Sequence, residues 1–162
     1  MIKDSGNRTE FESGAVRDLQ EDKGRCDLLP LDVIWKLLIT NPKGDSTMLN
    51  IQHFIRTGDT IYLYTAIDNF RRTRQWDMPT LSLEVAKHFE EGAKKYGERN
   101  WEKGIPVQCY IDSGLRHYLK WLRGDTDEPH DRAFCWNILC GIWTCDHMPE
   151  LNEYAKENKD DE

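Results

Sequence analysis

The chain has 162 residues, of which 38% are hydrophobic and 31% are charged, and its formal net charge is −7 at pH 7. This length allows one domain with a sizeable core, and the composition is typical of a soluble globular protein. The negative net charge argues against binding along long nucleic acids, which requires a basic surface. No apolar run approaches the about 20 residues of a membrane span, and residues 1–14 contain no apolar signal segment. We therefore expect a cytoplasmic protein with no membrane partner.

The ends of the chain and its first segment are polar. Residues 1–8 and 150–162 predict disordered or fraying tails. Residues 9–31 lack a long apolar period, which predicts an extended N-terminal arm that docks through Leu28 and Leu29.

Three short apolar-periodic segments lie between residues 32 and 70. An Asn-Pro dipeptide separates the first from the second, and Gly58 ends the second. We predict a helix for each segment, although the β-branched residues of the third also suit a strand. Residues 71–80 follow as a basic connector with turn character.

Three long helices are predicted in the second half. The first is capped by Thr80 or Ser82 and runs to Tyr96, with apolar residues at every third or fourth position. The second spans about residues 107–123. The third spans about residues 128–147, and its apolar surface is broad enough for a central position.

Together these patterns predict an all-α fold. It is a helical bundle with an inserted short-helix subregion at residues 32–79, which we expect to be peripheral, and with an extended N-terminal arm. Residues 9–147 are expected to form a single domain.

Carboxylates and a histidine share one face of the first long helix. Glu84, His88 and Glu91 lie at i, i+4 and i+7, and Lys95 continues that face. Two carboxylates beside a core can hold Mg²⁺, which prefers oxygen ligands. The same spacing suits a solvated face on which Glu91 pairs with Lys95. Glu90 points to a different face.

The last helix begins in an acidic segment. Asp127 and Asp131 flank His130, and this cluster becomes a candidate metal site if it faces the carboxylates of the first long helix. Acidic residues at a helix N-terminus also compensate the helix dipole. Asn137 lies further along on an otherwise apolar surface, where a buried amide needs a partner such as a neighbouring helix end.

Cationic residues surround the loop between the first two long helices. Lys94 and Lys95 precede it, and Arg116 and His117 lie on the next helix. Carboxylates for a metal ion, cations for phosphate oxygens and an aromatic ring for a base suit triphosphate chemistry. The Arg-His pair also suits a structural contact with the acidic cluster. The sequence contains no GxxxxGK[ST], GxGxxG or HExxH motif, so those phosphate, dinucleotide and zinc sites are unsupported.

Four segments occur in a characteristic order: DKGRCDLLPL, EVAKHFEEGAKKYGERNWEKGIP, SGLRHYLKWLRGDTDEPH and HDRAFCWNIL. Together they resemble the dATP/dGTP diphosphohydrolase N-terminal domain family of phages and prophages. That family is similar in turn to the MazG-like all-α nucleoside triphosphate pyrophosphohydrolases. The resemblance covers about residues 9–31 and 80–147 and gives the intervening segment no role.

The resemblance implies an enzyme that hydrolyses a purine (deoxy)nucleoside triphosphate, dATP or dGTP, to the monophosphate and pyrophosphate. It implies Mg²⁺ or Mn²⁺ as cofactor, a homo-oligomer as the assembly, and a bacterial host cytoplasm as the location. A water activated by the metal would attack phosphorus.

Face analysis and resemblance together predict the site. The expected metal ligands are carboxylates from two helices, Glu84, Glu91, Asp127 and Asp131. The expected catalytic residues are polar groups of the later helices, His117, His130 and Asn137. The expected substrate-binding residues are cations, an amide and aromatic rings: Lys23, Arg25, Lys94, Lys95, Tyr96, Asn100, Trp101 and Arg116.

Two other functions stay open. MazG-like enzymes carry EExxE on one helix and ExxD on another, but here Lys94 stands where the third acid of the first motif is expected. Glu128-x-x-Asp131 matches the second motif, although a whole helix separates it from the first. These departures favour a non-catalytic nucleotide-binding or regulatory module. The inserted helices suit an interaction protein of phage replication.

Overall fold

A computed structural model describes residues 6–19, 23–38 and 46–155 of the protein. These ranges contain a two-stranded sheet, β1 (Arg8–Glu10) and β2 (Val16–Asp18), and six helices. The helices are α1 (Leu31–Leu38), α2 (Thr47–Thr57), α3 (Ile61–Thr73), α4 (Met78–Tyr96), α5 (Val107–Arg123) and α6 (His130–His147). The predicted all-α fold is confirmed. None of the helices in these ranges has the length and apolar character that a membrane crossing requires.

The N-terminal arm folds as a β-hairpin, which we call the arm hairpin (residues 8–18). Its strands pair antiparallel, with Thr9 opposite Arg17. Asn100 fixes the hairpin to the bundle because its side-chain amide accepts from the Val16 N–H (2.9 Å) and donates to the Val16 carbonyl (2.8 Å). Ser13 adds a hydrogen bond to the Gly104 carbonyl at 2.6 Å. The amide of Asn100 thus continues the hydrogen-bond pattern of a strand.

Helix α6 lies at the centre of the bundle and packs against α3, α4 and α5. Helices α5 and α6 approach closely, since a Cβ at Gly114 would lie 3.3 Å from the Cβ of Asn137. The core between them contains Tyr118 and Phe134, whose ring centroids are 5.4 Å apart. Beside these rings, the same close approach brings together polar residues of the last part of α5 and the start of α6.

Helix α3 contributes to the same core, which differs from the expected peripheral position of residues 32–79. The ring of Phe70 is fully buried, with its centroid 4.6 Å from that of Phe134 and 5.9 Å from that of Tyr118. The apolar period that predicted a helix here also marks the face that packs against α5 and α6.

Helix boundaries follow the predictions except at the starts of α4 and α6 and at the end of α3. Helix α3 continues to Thr73, into the connector predicted at residues 71–80. Helix α5 has the predicted ends, since it stops before Gly124, a residue with φ of +89°. Helix α4 begins two residues before Thr80, because Asp77 is the cap and its carboxylate accepts from the Thr80 N–H at 2.8 Å. Helix α6 begins at His130, two residues after the predicted start at Glu128.

Residues 150–155 do not follow the predicted tail. Asn152 is buried and donates from Nδ2 to the Gly58 carbonyl at 3.0 Å. Tyr154 packs against Phe54, with ring centroids 5.4 Å apart. The chain therefore returns to the end of α2 after α6, while residues 156–162 lie outside the described ranges.

Candidate active site

A cavity of about 960 Å³ lies between the arm hairpin and helices α4, α5 and α6. Its volume falls within the range of about 300–1,000 Å³ that is typical of small-molecule pockets. Aromatic side chains form one part of its wall, cationic side chains a second part, and histidines with a glutamate a third part.

The aromatic wall is built by α4, the loop after it and α6. Tyr96 and Trp101, both predicted, line the cavity together with Phe89 and Trp136. The Phe89 ring lies 5.3 Å from Trp101 and 5.9 Å from Trp136, measured between centroids. Rings held in this way offer faces on which a nucleobase can stack.

Arg17 brings a cation from the arm hairpin into the cavity. Its Nη2 donates to Oδ1 of Asn137 at 2.6 Å, and its guanidinium lies 5.0 Å from the ring centroid of Tyr110. The amide of Asn137 is oriented because its Nδ2 donates to the Ala133 carbonyl at 2.8 Å. Arg17 is not among the residues predicted from the sequence. Its neighbours Val16 and Asp18 also line the cavity, so alternation along β2 does not single it out.

Lys23 and Arg116 also line the cavity, but both have partners within the chain. The Lys23 ammonium donates to Asp18 at 2.8 Å. Arg116 pairs with buried Asp112 and donates to the carbonyls of Lys23 (3.1 Å) and Gly24 (2.7 Å). Arg116 therefore holds the arm in place as well as lining the cavity.

Two histidines and a glutamate meet where α5 and the start of α6 approach, and we call His117, Glu128 and His130 the His–Glu cluster. The Nδ1 atoms of the histidines are 3.0 Å apart. Oε1 of Glu128 lies 3.7 Å from Nδ1 of His117 and 3.6 Å from Nδ1 of His130. Asp127 contacts the opposite nitrogen, Nε2 of His130, at 2.7 Å. His117 and Glu128 line the cavity, so the cluster is open to a ligand there.

The His–Glu cluster is poor in positive charge. Burial, together with the neighbouring His130, lowers the pKa of His117 well below its ordinary value, so this imidazole is neutral at neutral pH. The side chain of Glu128 is 8% exposed, and in the described ranges its ionic contacts are these two histidines. A buried carboxylate needs a compensating positive charge, which a bound cation can supply at this position.

Three buried polar atoms on cavity-lining residues have no hydrogen-bond partner in the part of the chain that the structure describes. They are Nη1 of Arg17, Nδ1 of His88 and Nε1 of Trp136. Burial, together with the charge of the nearby Arg132, lowers the pKa of His88 to about 3. An unpaired buried group costs about 1–3 kcal/mol, so such groups mark places where a ligand can supply the missing partner.

The four predicted metal ligands are not brought together. Glu84 pairs with Lys87 beside a separate shallow groove. Glu91 contacts Arg132 at 3.4 Å and Asp131 pairs with Arg74 at 2.8 Å. In the described ranges, two groups have the spacing of a metal site: the His–Glu cluster, and Asp125 with Asp127 and His130. Of the predicted ligands only Asp127 belongs to either group, because the other three are paired with cations. Lys87, the partner of Glu84, lies on the same helix, whereas Glu91 and Asp131 pair with arginines from elsewhere in the fold.

The predicted catalytic residues lie at or beside the cavity. Of the eight predicted substrate-binding residues, five line the cavity and three do not. His117 and Asn137 line the cavity, and His130 contacts His117 from behind. The cavity is also lined by five of the predicted substrate-binding residues, Lys23, Tyr96, Asn100, Trp101 and Arg116. The amide of Asn100 is used by the arm hairpin.

The other three predicted substrate-binding residues do not line the cavity. Arg25 is held by both oxygens of Asp27, at 2.7 and 2.6 Å. Lys94 pairs with Glu90, and the Lys95 ammonium lies 5.0 Å from the ring centroid of Tyr96. Each cation is engaged by a neighbour close in sequence.

The family model described as dATP/dGTP diphosphohydrolase, N-terminal, matches residues 64–154, more than half of the chain. The protein belongs to this family. No curated protein and no solved structure matches the chain. The dATP/dGTP diphosphohydrolase family name indicates an enzyme that hydrolyses nucleoside triphosphates.

The family match names the same family as the resemblance found in the sequence, but it covers a different range of residues. It contains the whole His–Glu cluster and the aromatic wall. It begins at residue 64, so most of α3 belongs to the family region instead of to an insertion. The arm hairpin, with Arg17, lies before the matched residues.

Proposed function

We propose that the protein hydrolyses dATP or dGTP to the monophosphate and pyrophosphate with the help of a divalent cation, and that it acts as a homo-oligomer. The observation that carries the proposal is the joint placement of stacking rings, Arg17 and the His–Glu cluster around one cavity in a member of this family.

The dimensions of the cavity suit such a substrate. Asn137 lies seven positions after His130 on α6, which corresponds to about 10 Å along the helix axis. Trp136 lies beside Asn137, so the aromatic wall and the cluster are separated by a distance that a deoxyribose and its phosphates can bridge. In this orientation the purine stacks between Trp101 and Tyr96, and the phosphates extend toward Lys120 and the cluster.

The residues of the His–Glu cluster fit a divalent cation. Two imidazole nitrogens and a carboxylate oxygen lie within 3.7 Å of one another, and the cavity gives access to them. When bound there, a cation such as Mg²⁺ or Mn²⁺ supplies charge neutralisation at phosphate oxygens and lowers the pKa of water. Asp127 contacts Nε2 of His130 and so orients the ring with Nδ1 toward His117 and Glu128.

In the proposed reaction, the oxygen of water forms a bond to the α-phosphorus and the bond from that phosphorus to the bridging oxygen breaks. Pyrophosphate leaves with the bridging oxygen, and the proton of water passes to solvent. Arg17 donates hydrogen bonds to the phosphate oxygens on which charge accumulates, and Asn137 keeps the guanidinium in position.

A non-catalytic nucleotide-binding module is the second candidate. It is favoured by the pairing of Glu84, Glu91 and Asp131 with cations of the chain, since no site made only of carboxylates is assembled in the described ranges. Such a module would bind a nucleotide in the same cavity and release it unchanged.

Product analysis separates the two candidates. The purified protein is incubated with each deoxy- and ribonucleoside triphosphate and with Mg²⁺ or Mn²⁺, and the products are separated by chromatography. The proposal expects monophosphate and pyrophosphate in equal amounts, with dATP or dGTP as the preferred substrate. Diphosphate with orthophosphate would refute the proposed reaction, and tight binding without turnover would support the second candidate. Light scattering measures the oligomeric state.

A further inference from the structure

We propose that the His–Glu cluster is a transition-metal site that binds cations such as Mn²⁺ or Co²⁺ in preference to Mg²⁺, with Asp127 as a positioning residue. The role of this cation in hydrolysis rests on the proposed function, whereas its binding rests on the geometry of the cluster.

The distances within the cluster suit ligands of one ion. Two ligand atoms that each lie about 2.1 Å from a shared metal are about 3.0–3.6 Å apart at angles of about 90–120°. The separations of 3.0 Å between the two Nδ1 atoms and 3.6 Å between Nδ1 of His130 and Oε1 of Glu128 fall within this range. The third separation, 3.7 Å between Nδ1 of His117 and the same oxygen, lies just above it. The remaining coordination positions face the cavity, since His117 and Glu128 line it.

Asp127 determines which nitrogen of His130 is available to a metal. Its Oδ1 lies 2.7 Å from Nε2 of His130. An ionised carboxylate can only accept a hydrogen bond, so Nε2 is the nitrogen that donates to Asp127. Nδ1 is the nitrogen that faces His117 and Glu128. A carboxylate behind a histidine is the usual arrangement by which proteins orient a metal-binding imidazole.

The donor set selects the class of metal. Mg²⁺ prefers oxygen ligands and retains several waters, whereas imidazole nitrogen suits first-row transition metals. Two nitrogens and one carboxylate oxygen thus favour a transition metal. This set also differs from the carboxylate set that the sequence predicted on α4.

The other group with the spacing of a metal site, Asp125 with Asp127 and His130, is the alternative to the His–Glu cluster. Asp125 and Asp127 share His130 with the cluster, but both oxygens of Asp125 are engaged by Arg123 at the surface. Asp127 also has Lys120 at 4.0 Å. Substitutions in the two groups therefore distinguish which one binds the ion.

The test measures metal binding by the full-length protein without nucleotide. Free Mn²⁺ is titrated by electron paramagnetic resonance, and Mg²⁺ is added as competitor. The variants are Glu128→Gln and Asp127→Asn, with Asp125→Asn as the matched control, and thermal unfolding confirms that each is folded. Pulsed measurements on bound Mn²⁺ detect the nitrogen couplings of coordinating imidazoles.

We expect one Mn²⁺ per chain, displaced only by at least about a hundredfold excess of Mg²⁺, with couplings from two imidazoles. Glu128→Gln should weaken Mn²⁺ binding by about a hundredfold. Asp127→Asn should weaken it by about tenfold to a hundredfold and reduce the coupling to one imidazole, within the range seen when an orienting partner is lost. Asp125→Asn should change the affinity less than about threefold.

The outcomes for binding and for hydrolysis are separate. Equal competition by Mg²⁺, or unchanged Mn²⁺ affinity in Glu128→Gln, overturns the metal site, and nucleotide turnover in Mg²⁺ would then leave the proposed function standing. Tight Mn²⁺ binding through two imidazoles without turnover of any nucleotide supports the metal site and refutes the proposed function.

Discussion

Arg17 in the arm hairpin donates a hydrogen bond of 2.6 Å to Asn137 in the middle of α6, across 120 positions of sequence. The bond connects a segment before the family region to the central helix of that region. Because Asn137 is oriented by the Ala133 carbonyl, its oxygen is presented to the guanidinium in one direction. Arg17 therefore reaches the cavity with a fixed geometry and with Nη1 still without a partner in the described structure.

Arg17→Lys should lower kcat/KM for the preferred nucleotide by about a hundredfold, because a planar double donor is replaced by a single charge and one positioned donor is worth about 10²–10³ in rate. Steady-state kinetics with pyrophosphate detection measures this. Arg25→Lys is the matched control, since Arg25 is held by Asp27 away from the cavity, and it should retain activity within about threefold. Equal losses in both variants would contradict the assignment.

Glu84→Gln should lower kcat by less than about threefold, because an exposed helical ion pair contributes little. Glu128→Gln should lower kcat by about a hundredfold or more, since it removes the carboxylate of the His–Glu cluster. The comparison uses turnover at saturating nucleotide. The opposite order, with Glu84→Gln inactive, would show that the carboxylate face of α4 predicted from sequence is the metal site.

Phe70→Ala should lower the free energy of unfolding by about 3–5 kcal/mol, because it leaves a cavity between α3, α5 and α6. Urea denaturation measures the change. Tyr64→Ala lies on the same helix with a half-exposed ring and should cost less than about 1 kcal/mol. A loss below about 1 kcal/mol for Phe70→Ala would support the peripheral position that the sequence predicted for residues 32–79.

The stability of the protein should fall as the pH decreases below about 6.5. Burial lowers the pKa of His88 to about 3, so the unfolded chain takes up a proton in this range before the folded protein does. The resulting loss from His88 is about 2 kcal/mol at about pH 5, and it continues toward the folded pKa. His88→Gln should remove this part of the pH dependence in urea denaturation at about pH 5 and pH 7.5. An unchanged dependence would show that His88 is not held neutral by burial.

The sequence predicts features that depend on local chain properties. Helix α5 has the predicted limits because Pro106 and Gly124 end it on both sides. The predicted N-cap of α4 at Thr80 is wrong, since Asp77 is the cap. Both residue types suit an N-cap, and only the hydrogen bond from the Thr80 N–H to the Asp77 carboxylate shows which of them caps the helix. Helix existence and apolar faces are therefore accessible without a structure.

The site was only partly predictable because it depends on how helices meet. His117 and His130 lie on different helices, and the close approach of α5 and α6 sets their separation. Face analysis of α4 grouped Glu84 with Glu91, but it gave no information on the arginines of other helices that pair with such carboxylates. Contacts between elements, unlike helical periods, leave no signature in a single stretch of sequence.

The attachment of the arm hairpin has a consequence for how relatives of this protein can diverge. Asn100, Ser13 and Arg17 join the hairpin to the bundle by hydrogen bonds. Its buried Ala15 packs with Tyr110 and Cys140 in an apolar cluster that is separate from the core around Phe70. The exposed positions of the hairpin can therefore change without altering the core that positions the His–Glu cluster. If Arg17 contacts phosphate as proposed, substitutions in the hairpin can change nucleotide preference while the helical scaffold stays the same.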